Sequence, residues 1–289
     1  MNKKKKKGRW LVNLLILLLF LAGAGIMLYP TVSDLWNKYR NAQLITTYDE
    51  AVQELSKENY DKLWAEAREY NSHITVNNIV DAFEEESDYQ LSHPYDTVLD
   101  PNGDGLMGSI DIPKLGVKIA IYHGLGKTAL EKGCGHVEGT GLPIGGKSNH
   151  AALAAHRGLP SARLFTDLDQ MEIGDIFVLN ILGEKLAYEV DQIKTVLPEE
   201  TEDLAIVEGE DLVTLITCTP YAVNTHRLLV RGKRTEYVEE IAEAEEAAES
   251  LPEKVARVDP QKLLFIALGV FVISVIILYF LIRRKKGGK

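Results

Sequence analysis

Cys218 is the residue whose type and position most directly suggest covalent chemistry. An apolar stretch, residues 212–216, leads into Thr217-Cys218-Thr219, and Pro220 then ends the predicted strand. A cysteine at the end of a strand lies at the rim of a sheet, where loops form functional sites. Its thiolate is a good nucleophile there if a neighbouring cation stabilises the negative charge.

Arg227 is the predicted cationic neighbour, on the strand that starts near Thr225. Side chains alternate along a strand, so Arg227 and Leu229 share one face while His226 and Leu228 share the other. If Arg227 points toward Cys218 across the hairpin, His226 points away. His226 is therefore a weak candidate for the base that this chemistry needs.

His156 is the favoured base because it ends the predicted strand 151–155 and precedes a Gly-Leu-Pro turn. This position is compatible with the same rim as Cys218. His150 begins the same stretch and would lie about 20 Å away, at ~3.3 Å per residue. The other histidines are expected to be solvated loop residues: His73, His93, His123 and His136.

The two cysteines, Cys134 and Cys218, allow two interpretations that exclude each other. A pair in an oxidising compartment can form a disulfide. Alternatively, Cys218 is a working thiol and Cys134 a free or buried one. No Cys/His cluster has the spacing of a zinc site, and no motif calls for a cofactor.

Two uncharged apolar runs, 10–28 and 263–282, are each long enough to cross a membrane. Basic residues flank both runs on the side away from the chain centre, which predicts cytoplasmic termini and an extracellular middle. The first run is interpreted as an uncleaved signal anchor, with a cleaved signal peptide as the alternative. The second is interpreted as a stop-transfer helix.

Charge is distributed in the same three parts. Six basic residues lie in 1–30 and six in 261–289, where there are no acidic residues. Residues 31–260 therefore carry the other 20 basic and all 42 acidic residues, a net charge of −22. Such a surface argues against binding to nucleic acid or to an anionic lipid surface.

The middle of the chain predicts a helix followed by a β-barrel. Residues 48–70 have apolar positions at helical spacing, and 71–105 are expected to be extended or loop. Seven short β-rich stretches with Gly and Pro between them then indicate a closed or nearly closed barrel. The Gly-rich segment 125–150 is expected to lack regular structure, and 236–260 to form a solvated acidic helix or linker.

Thr-Leu-Ile-Thr-Cys (214–218) followed by Arg227 resembles the signature of the sortases. Longer stretches resemble the class C, pilus-assembling members: LDPNGDGLMGSIDIPKLGVKIAIYHG, GHVEGTGLPIGG, HAALAAHRGLPSARLFTDLD and CTPYAVNTHRLLVRG. The resemblance covers residues 45–234. It implies a mostly β fold: an eight-stranded sortase-type barrel with short helices, an N-terminal helical and lid segment, and a transmembrane helix at each end.

By this resemblance Cys218 is the nucleophile, His156 the general acid and base, and Arg227 the oxyanion or substrate-positioning group. The implied substrate is a Leu-Pro-x-Thr-Gly sorting signal cleaved between Thr and Gly. The implied acceptor is a lysine of a pilin subunit, so that repetition builds a pilus. No cofactor is implied.

Class C sortases also carry an Asp-Pro-aromatic lid over the cysteine. The matching segment here is Asp81-Ala82-Phe83, in which alanine replaces the proline. The resemblance pairs Asp81 with Arg227 and Phe83 with Cys218, and the missing proline predicts a more flexible loop. His93-Pro94-Tyr95 is the competing assignment, and an ordinary acidic loop is a third.

Two other functions remain open from the sequence. One is a housekeeping sortase that anchors surface proteins to the cell wall; the other is a non-catalytic surface-binding domain on a sortase-like barrel. The predicted order is a basic cytoplasmic tail (1–9), a signal anchor (10–28), an extracellular helical segment with the lid loop (31–105), the catalytic barrel (106–234), an acidic helical linker (235–260), a transmembrane helix (263–282) and a basic cytoplasmic tail (283–289).

Overall fold

A computed structural model describes residues 3–74, 95–249 and 254 of the chain. Eight strands form a closed barrel, as the family resemblance implies. The strands are β1 (Leu106–Ile112), β2 (Val117–Tyr122), β3 (Cys134–His136), β4 (Asn149–Ala154), β5 (Ile176–Ile181), β6 (Glu184–Val196), β7 (Asp211–Thr219) and β8 (His226–Thr235). Around the barrel they follow the order β1-β2-β3-β4-β7-β8-β6-β5. The described helices are α1 (Lys3–Glu54), α2 (Lys57–Ser72), α3 (Lys127–Lys132) and α4 (Glu239–Ala248).

The inside of the barrel is a single apolar core. Alternate residues of the strands point inward and are almost completely buried, among them Ile110, Leu153, Phe177, Leu215 and Val230. Burial of this apolar surface is the main favourable term for the barrel. The opposite faces of the same strands are therefore available for helices and for a site.

The pairing of β4 with β7 is parallel, with Asn149 opposite Asp211 and Ala154 opposite Ile216. The pairing of β7 with β8 is antiparallel, from Leu212 opposite Lys233 to Thr219 opposite His226. The C-terminal ends of β4 and β7 and the N-terminal end of β8 consequently lie at the same rim of the barrel.

The predicted helix 48–70 is wrong in one respect, because it is divided between α1 and α2. The break falls at Leu55-Ser56, where the Ser56 hydroxyl accepts a hydrogen bond from the Asn59 N–H and caps α2. α1 packs on the barrel through Tyr48, whose hydroxyl donates to the Met107 carbonyl and accepts from the Leu182 N–H.

The Gly-rich segment 125–150 contains more regular structure than the sequence predicts, namely α3, β3 and the start of β4. α3 forms because Ala129 and Leu130 become buried against the barrel, although its sequence is too short to signal a helix. β3 pairs with β2 at Cys134 and with β4 at Gly135. Just before β3 begins, the Asn41 side chain of α1 accepts from the Ala120 N–H and donates to the Lys132 carbonyl.

Within the described residues, α1 contains one segment, Leu18–Glu54, that is long and apolar enough to cross a membrane by length and composition. Phe20, Ile26 and Met27 in this segment have exposed side chains. An apolar helix of this kind is consistent with membrane anchoring through the N-terminal region. The second predicted span, 263–282, lies outside the described residues.

The acidic segment after the barrel was expected to be solvated, but α4 docks on the barrel. Ile241 packs against Val178 and Ala187 of the outer barrel surface. Lys185 donates to the Glu245 carboxylate at 2.8 Å, and the Tyr237 hydroxyl donates to the same carboxylate at 2.6 Å. The expectation failed because Ile241 and Glu245 form one face of a helix whose partner surface is distant in sequence.

Asp111 of β1 is buried between α4 and the barrel, beside Lys118, Lys185 and Glu245. Burial raises the pKa of Asp111 to about 7, although Lys118, 3.5 Å away, opposes the shift. A carboxyl that is protonated in the folded state and ionised in the unfolded state stabilises the fold less as pH rises. The loss falls between pH 3.8 and about 7.

We therefore expect Asp111→Asn to gain thermal stability relative to the unchanged protein as pH rises. The difference in melting temperature, variant minus parent, should be more positive at pH 8 than at pH 5 by about 5 °C. Circular dichroism of the full-length protein in detergent measures it. Asp61→Asn, at an exposed position of α2, is the control; an equal difference at both pH values for Asp111→Asn would contradict the prediction.

Candidate active site

Cys218 and Arg227 lie directly opposite each other in the β7–β8 pairing. Each is 9% exposed. Directly paired residues point to the same face of a sheet, so the face assignment of Arg227 from the sequence is confirmed. His226 is opposite Thr219, and its Nδ1 lies 2.9 Å from the Thr225 hydroxyl, on the other face from Arg227.

Backbone and side-chain bonds bring His156 to the same rim. The Ala155 N–H donates to the Ile216 carbonyl at 3.1 Å, and the Thr217 hydroxyl donates to the Ala155 carbonyl at 2.8 Å. His156 therefore lies beyond the end of β4 at the level of Cys218, which is the last residue but one of β7. His150 pairs with Leu212 at the opposite end of the same two strands, which confirms its exclusion.

His156 is partly buried. Burial lowers its pKa from the ordinary value of 6.5, and the Glu131 carboxylate of α3 opposes part of this shift. The imidazole is consequently neutral at physiological pH. A neutral imidazole can accept a proton from one group and later return it to another, as a general base and acid must.

The Arg227 guanidinium is held by backbone carbonyls of the turn between β7 and β8. Its Nη1 donates to the Asn224 and His226 carbonyls, each at 3.2 Å. A cation fixed in this way beside a nucleophile can stabilise negative charge that develops on an attacked carbonyl oxygen.

On the outer face that carries these three residues lies a small buried apolar cluster. The alternate positions next to them on β4, β7 and β8 are Ala154, Ile216 and Leu229. They form a cluster separate from the barrel interior, with further members Val137, Ala152, Leu204, Leu125 and Val196. The strand members of this cluster are buried, so it is a small second core that supports the strand ends carrying Cys218, His156 and Arg227.

The expectation of solvated loop histidines is wrong for His136, whereas His123 lies in a loop as expected but is half-buried. His136 belongs to β3 and is completely buried, between the Tyr95 hydroxyl at 2.9 Å and the Gly141 carbonyl at 2.8 Å. Burial lowers its pKa to about 4. Both ring nitrogens of His123 lie against carbonyls, those of Gly105 and Val98.

Cys134 is completely buried in β3, with its sulfur 3.5 Å from the Ala120 carbonyl oxygen. Burial raises the pKa of this thiol, so it resists ionisation. Both cysteines are within the described residues, and no disulfide joins them there. The disulfide interpretation is therefore wrong. The described part of the chain also holds no cluster of three or more side chains suited to a metal.

Of the two lid assignments, the structure describes only Tyr95, which belongs to the second. Asp81, Phe83, His93 and Pro94 lie outside the described residues. Tyr95 is buried against the barrel, where its hydroxyl accepts from the Gly124 N–H and its ring packs edge-on against His123.

Sequence reasoning did not single out two other residues of this rim, Thr217 and Arg157. Each is the direct chain neighbour of a predicted site residue, Cys218 or His156. That adjacency was the available signal, but their hydrogen-bond partners are distant in sequence.

We expect iodoacetamide to distinguish the two thiols. In Cys218→Ala, Cys134 should remain unlabelled until the protein is unfolded in urea, because its sulfur is buried and its pKa is raised. In Cys134→Ala, the folded protein should label at Cys218. Peptide mapping by mass spectrometry measures both, and labelling of folded Cys218→Ala at the rate of the unfolded chain would contradict the burial of Cys134.

Comparison with known proteins identifies the family. Residues 110–235 match the model of the sortase domain. Sortase A of Streptococcus agalactiae is 33% identical over 133 residues, which are 44% of this chain and 52% of that protein. Sortase D of Bacillus subtilis is 26% identical over 44% of this chain and 63% of its own length. The matches thus span between half and two thirds of these relatives.

Solved structures match over a longer part of the chain. Sortase C-1 of Streptococcus pneumoniae is 40% identical, covers 68% of this chain and 100% of its own, and has a TM-score of 0.62. Sortase C1 of S. agalactiae is 44% identical over 68% and 95% of the two chains, with a TM-score of 0.61. A second structure of S. pneumoniae sortase C, described with its pilin substrate specificity, is 42% identical over 67% and 97%, with a TM-score of 0.60. The chain belongs to the sortase family of cysteine transpeptidases, and its structural neighbours are class C sortases.

Proposed function

We propose that this protein is a membrane-anchored transpeptidase that polymerises pilin subunits. It cleaves a Leu-Pro-x-Thr-Gly type sorting signal between Thr and Gly and transfers the new carboxyl end to a lysine amine of a pilin. The observation that carries the proposal is the direct pairing of Cys218 with Arg227 at the rim where His156 leaves β4. The pilin specificity of the S. pneumoniae neighbour supports the choice of substrate.

In the first half-reaction neutral His156 takes the proton of the Cys218 thiol, and the resulting thiolate attacks the carbonyl carbon of the threonine to form a C–S bond. The carbonyl oxygen becomes an oxyanion that the Arg227 guanidinium stabilises. As the oxyanion collapses, the C–N bond to glycine breaks and His156 gives its proton to the leaving amine. The product is a thioester between the threonine carbonyl and Cys218.

In the second half-reaction the neutral amine of a pilin lysine attacks the thioester carbonyl. His156, neutral after the first step, takes a proton from the attacking nitrogen, and Arg227 again stabilises the oxyanion. The C–S bond breaks, the Cys218 sulfur takes the proton back from His156, and an isopeptide bond remains. These steps use only the three side chains and no cofactor. Repetition with further subunits makes a covalent polymer.

The proposed topology places the barrel outside the cell. Spans at 10–28 and 263–282, with basic tails at both ends, hold it on the cell membrane with both termini in the cytoplasm. The alternative is a housekeeping sortase, whose acceptor is an amine of the cell wall. The second apolar run and the Asp-Ala-Phe segment favour the pilus-assembling enzyme.

The lid is also part of the proposal. Asp81 would face Arg227, and the Phe83 ring would cover the Cys218 sulfur, as the class C resemblance implies. Ala82 stands where the class has proline, so φ is not fixed at this position. The loop therefore loses more conformational entropy when it closes.

The peptidase step is tested with the full-length protein in detergent, carrying Phe83→Ala so that a closed lid cannot prevent binding. A Leu-Pro-x-Thr-Gly peptide should be cleaved between Thr and Gly, and mass spectrometry should find the acyl group on Cys218. Replacing Cys218 with alanine should abolish the adduct, and Arg227→Ala should lower kcat/KM by about 100- to 1000-fold.

Absence of an adduct, in a folded protein whose Cys218 reacts with iodoacetamide, would reject this sorting motif. The acceptor then decides between the two sortase functions. Formation of pilin ladders that depends on Cys218 supports the polymerase. Transfer to a cell-wall peptide amine, with no transfer to a pilin lysine, would favour the housekeeping enzyme.

The lid is tested by the rate at which iodoacetamide labels Cys218. Phe83→Ala should label faster than the parent, and Tyr89→Ala, in the same segment but outside the motif, should not. An equal rate for Phe83→Ala and the parent would show that Phe83 does not cover the thiol.

A further inference from the structure

The side chain of Arg157, the residue after His156, bonds to Thr219, the residue after Cys218. Arg157 Nη1 donates to the Thr219 hydroxyl oxygen at 3.1 Å. Arg157 follows His156 directly in the chain, and Thr219 follows Cys218 directly. The bond therefore joins two different segments, the loop after β4 and the end of β7, one residue from each of the two groups that must exchange protons.

The same guanidinium is fixed from its own loop. Arg157 Nε donates to the Thr166 carbonyl at 3.1 Å, and Nη2 forms a salt bridge with the Asp169 carboxylate. The Arg157 side chain is only 8% exposed. Partial burial makes these charge-assisted bonds stronger than those of a surface pair. We call Arg157, Thr166, Asp169 and Thr219 the Arg157 clamp.

Packing between the same two loops supports the clamp. The Tyr221 ring lies 6.0 Å from the Arg157 guanidinium carbon, an arrangement that favours a cation. Gly158 has φ +81°, and a Cβ there would come within 2.9 Å of the Tyr221 ring. The absence of a side chain at Gly158 thus lets Tyr221 lie against the loop that carries His156.

We propose that Arg157 is a positioning residue that sets the distance between the His156 imidazole and the Cys218 sulfur. This inference rests on the proposed function, in which His156 and Cys218 act together. β4 ends at Ala154, so the ladder with β7 does not hold His156 itself. The clamp supplies that constraint beyond the last strand residue. A misplacement of about 1 Å in such a pair costs roughly 100-fold in rate.

The most specific test changes the acceptor, Thr219, and leaves the arginine in place. Thr219→Val removes the hydroxyl at nearly constant shape, whereas Thr219→Ser keeps it. In the Phe83→Ala protein, kcat/KM for the sorting peptide should fall roughly 10- to 100-fold in Thr219→Val. The serine variant should retain most of the activity. In Arg157→Met, kcat/KM should fall by at least the same factor. Arg157→Lys should not restore kcat/KM, since an ammonium cannot reproduce the planar fork of the guanidinium.

The pH profile separates positioning from a general loss of stability. The limbs of kcat/KM against pH report the protonation of the catalytic acid and base in the free enzyme. Because the mutual influence of two charges depends on their separation, the limbs should move in Thr219→Val and Arg157→Met. They should not move in Glu189→Gln, at an exposed position of β6. The double variant Arg157→Met/Thr219→Val should lose less than the product of the single losses.

The clamp can be tested even if the sorting peptide is not a substrate. The pH dependence of iodoacetamide labelling of Cys218 needs no peptide and should shift in Thr219→Val but not in Thr219→Ser. If the parent forms no acyl adduct but the pH dependence of labelling shifts in Thr219→Val, the proposed function is rejected and the positioning role of Arg157 is supported. Identical labelling and kinetic profiles in Thr219→Val, Thr219→Ser and the parent would overturn the positioning role. The positioning role would also be overturned if Arg157→Met lost activity only in proportion to a lower melting temperature, while the limbs of its pH profile stayed where they are in the parent.

Discussion

The parallel pairing of β4 with β7 is the constraint on which the rest of the site depends. Two parallel strands end at the same edge, so residues that are 62 positions apart in the chain, His156 and Cys218, emerge at one rim. An antiparallel pairing of the same two strands would place them at opposite ends of the barrel. The antiparallel pairing of β7 with β8 then adds Arg227 opposite Cys218. One strand, β7, thus organises all three groups.

Local sequence patterns predicted two features of this rim, although not the strand pairing itself. The alternation of side chains along 226–231 put Arg227 and His226 on opposite faces, and the length of 150–156 separated His150 from His156. Both predictions are confirmed by the strand registers. They succeeded because a strand has a fixed period and a fixed rise per residue, and its long partners leave little freedom of register.

The errors occurred where the deciding contact is distant in sequence. β3 forms in a Gly-rich segment because its backbone pairs with β2 and β4, and α3 forms because Ala129 and Leu130 are buried. His136 is polar and follows a glycine, yet Tyr95 and Gly141 satisfy both of its nitrogens in the interior. α4 docks through Ile241 and Glu245 onto strands some sixty residues earlier. Arg157 gave no signal for the same reason, since Thr219 is 62 residues away.

Closure of the barrel has a consequence for how a peptide can be recognised. β-Augmentation, in which a ligand extends a sheet from an open edge, requires strand backbone without partners. At the shortest strand of this barrel, β3, the flanking backbone is also paired. After β3 the Val137 and Gly141 N–H groups bond to the carbonyls of Ala152 and His150, and before it the Ala120 N–H donates to Asn41 of α1. A peptide must therefore be recognised by side chains on the face of the sheet and by the loops that lie across it. Such loops can diverge between enzymes while the scaffold that aligns the nucleophile stays unchanged.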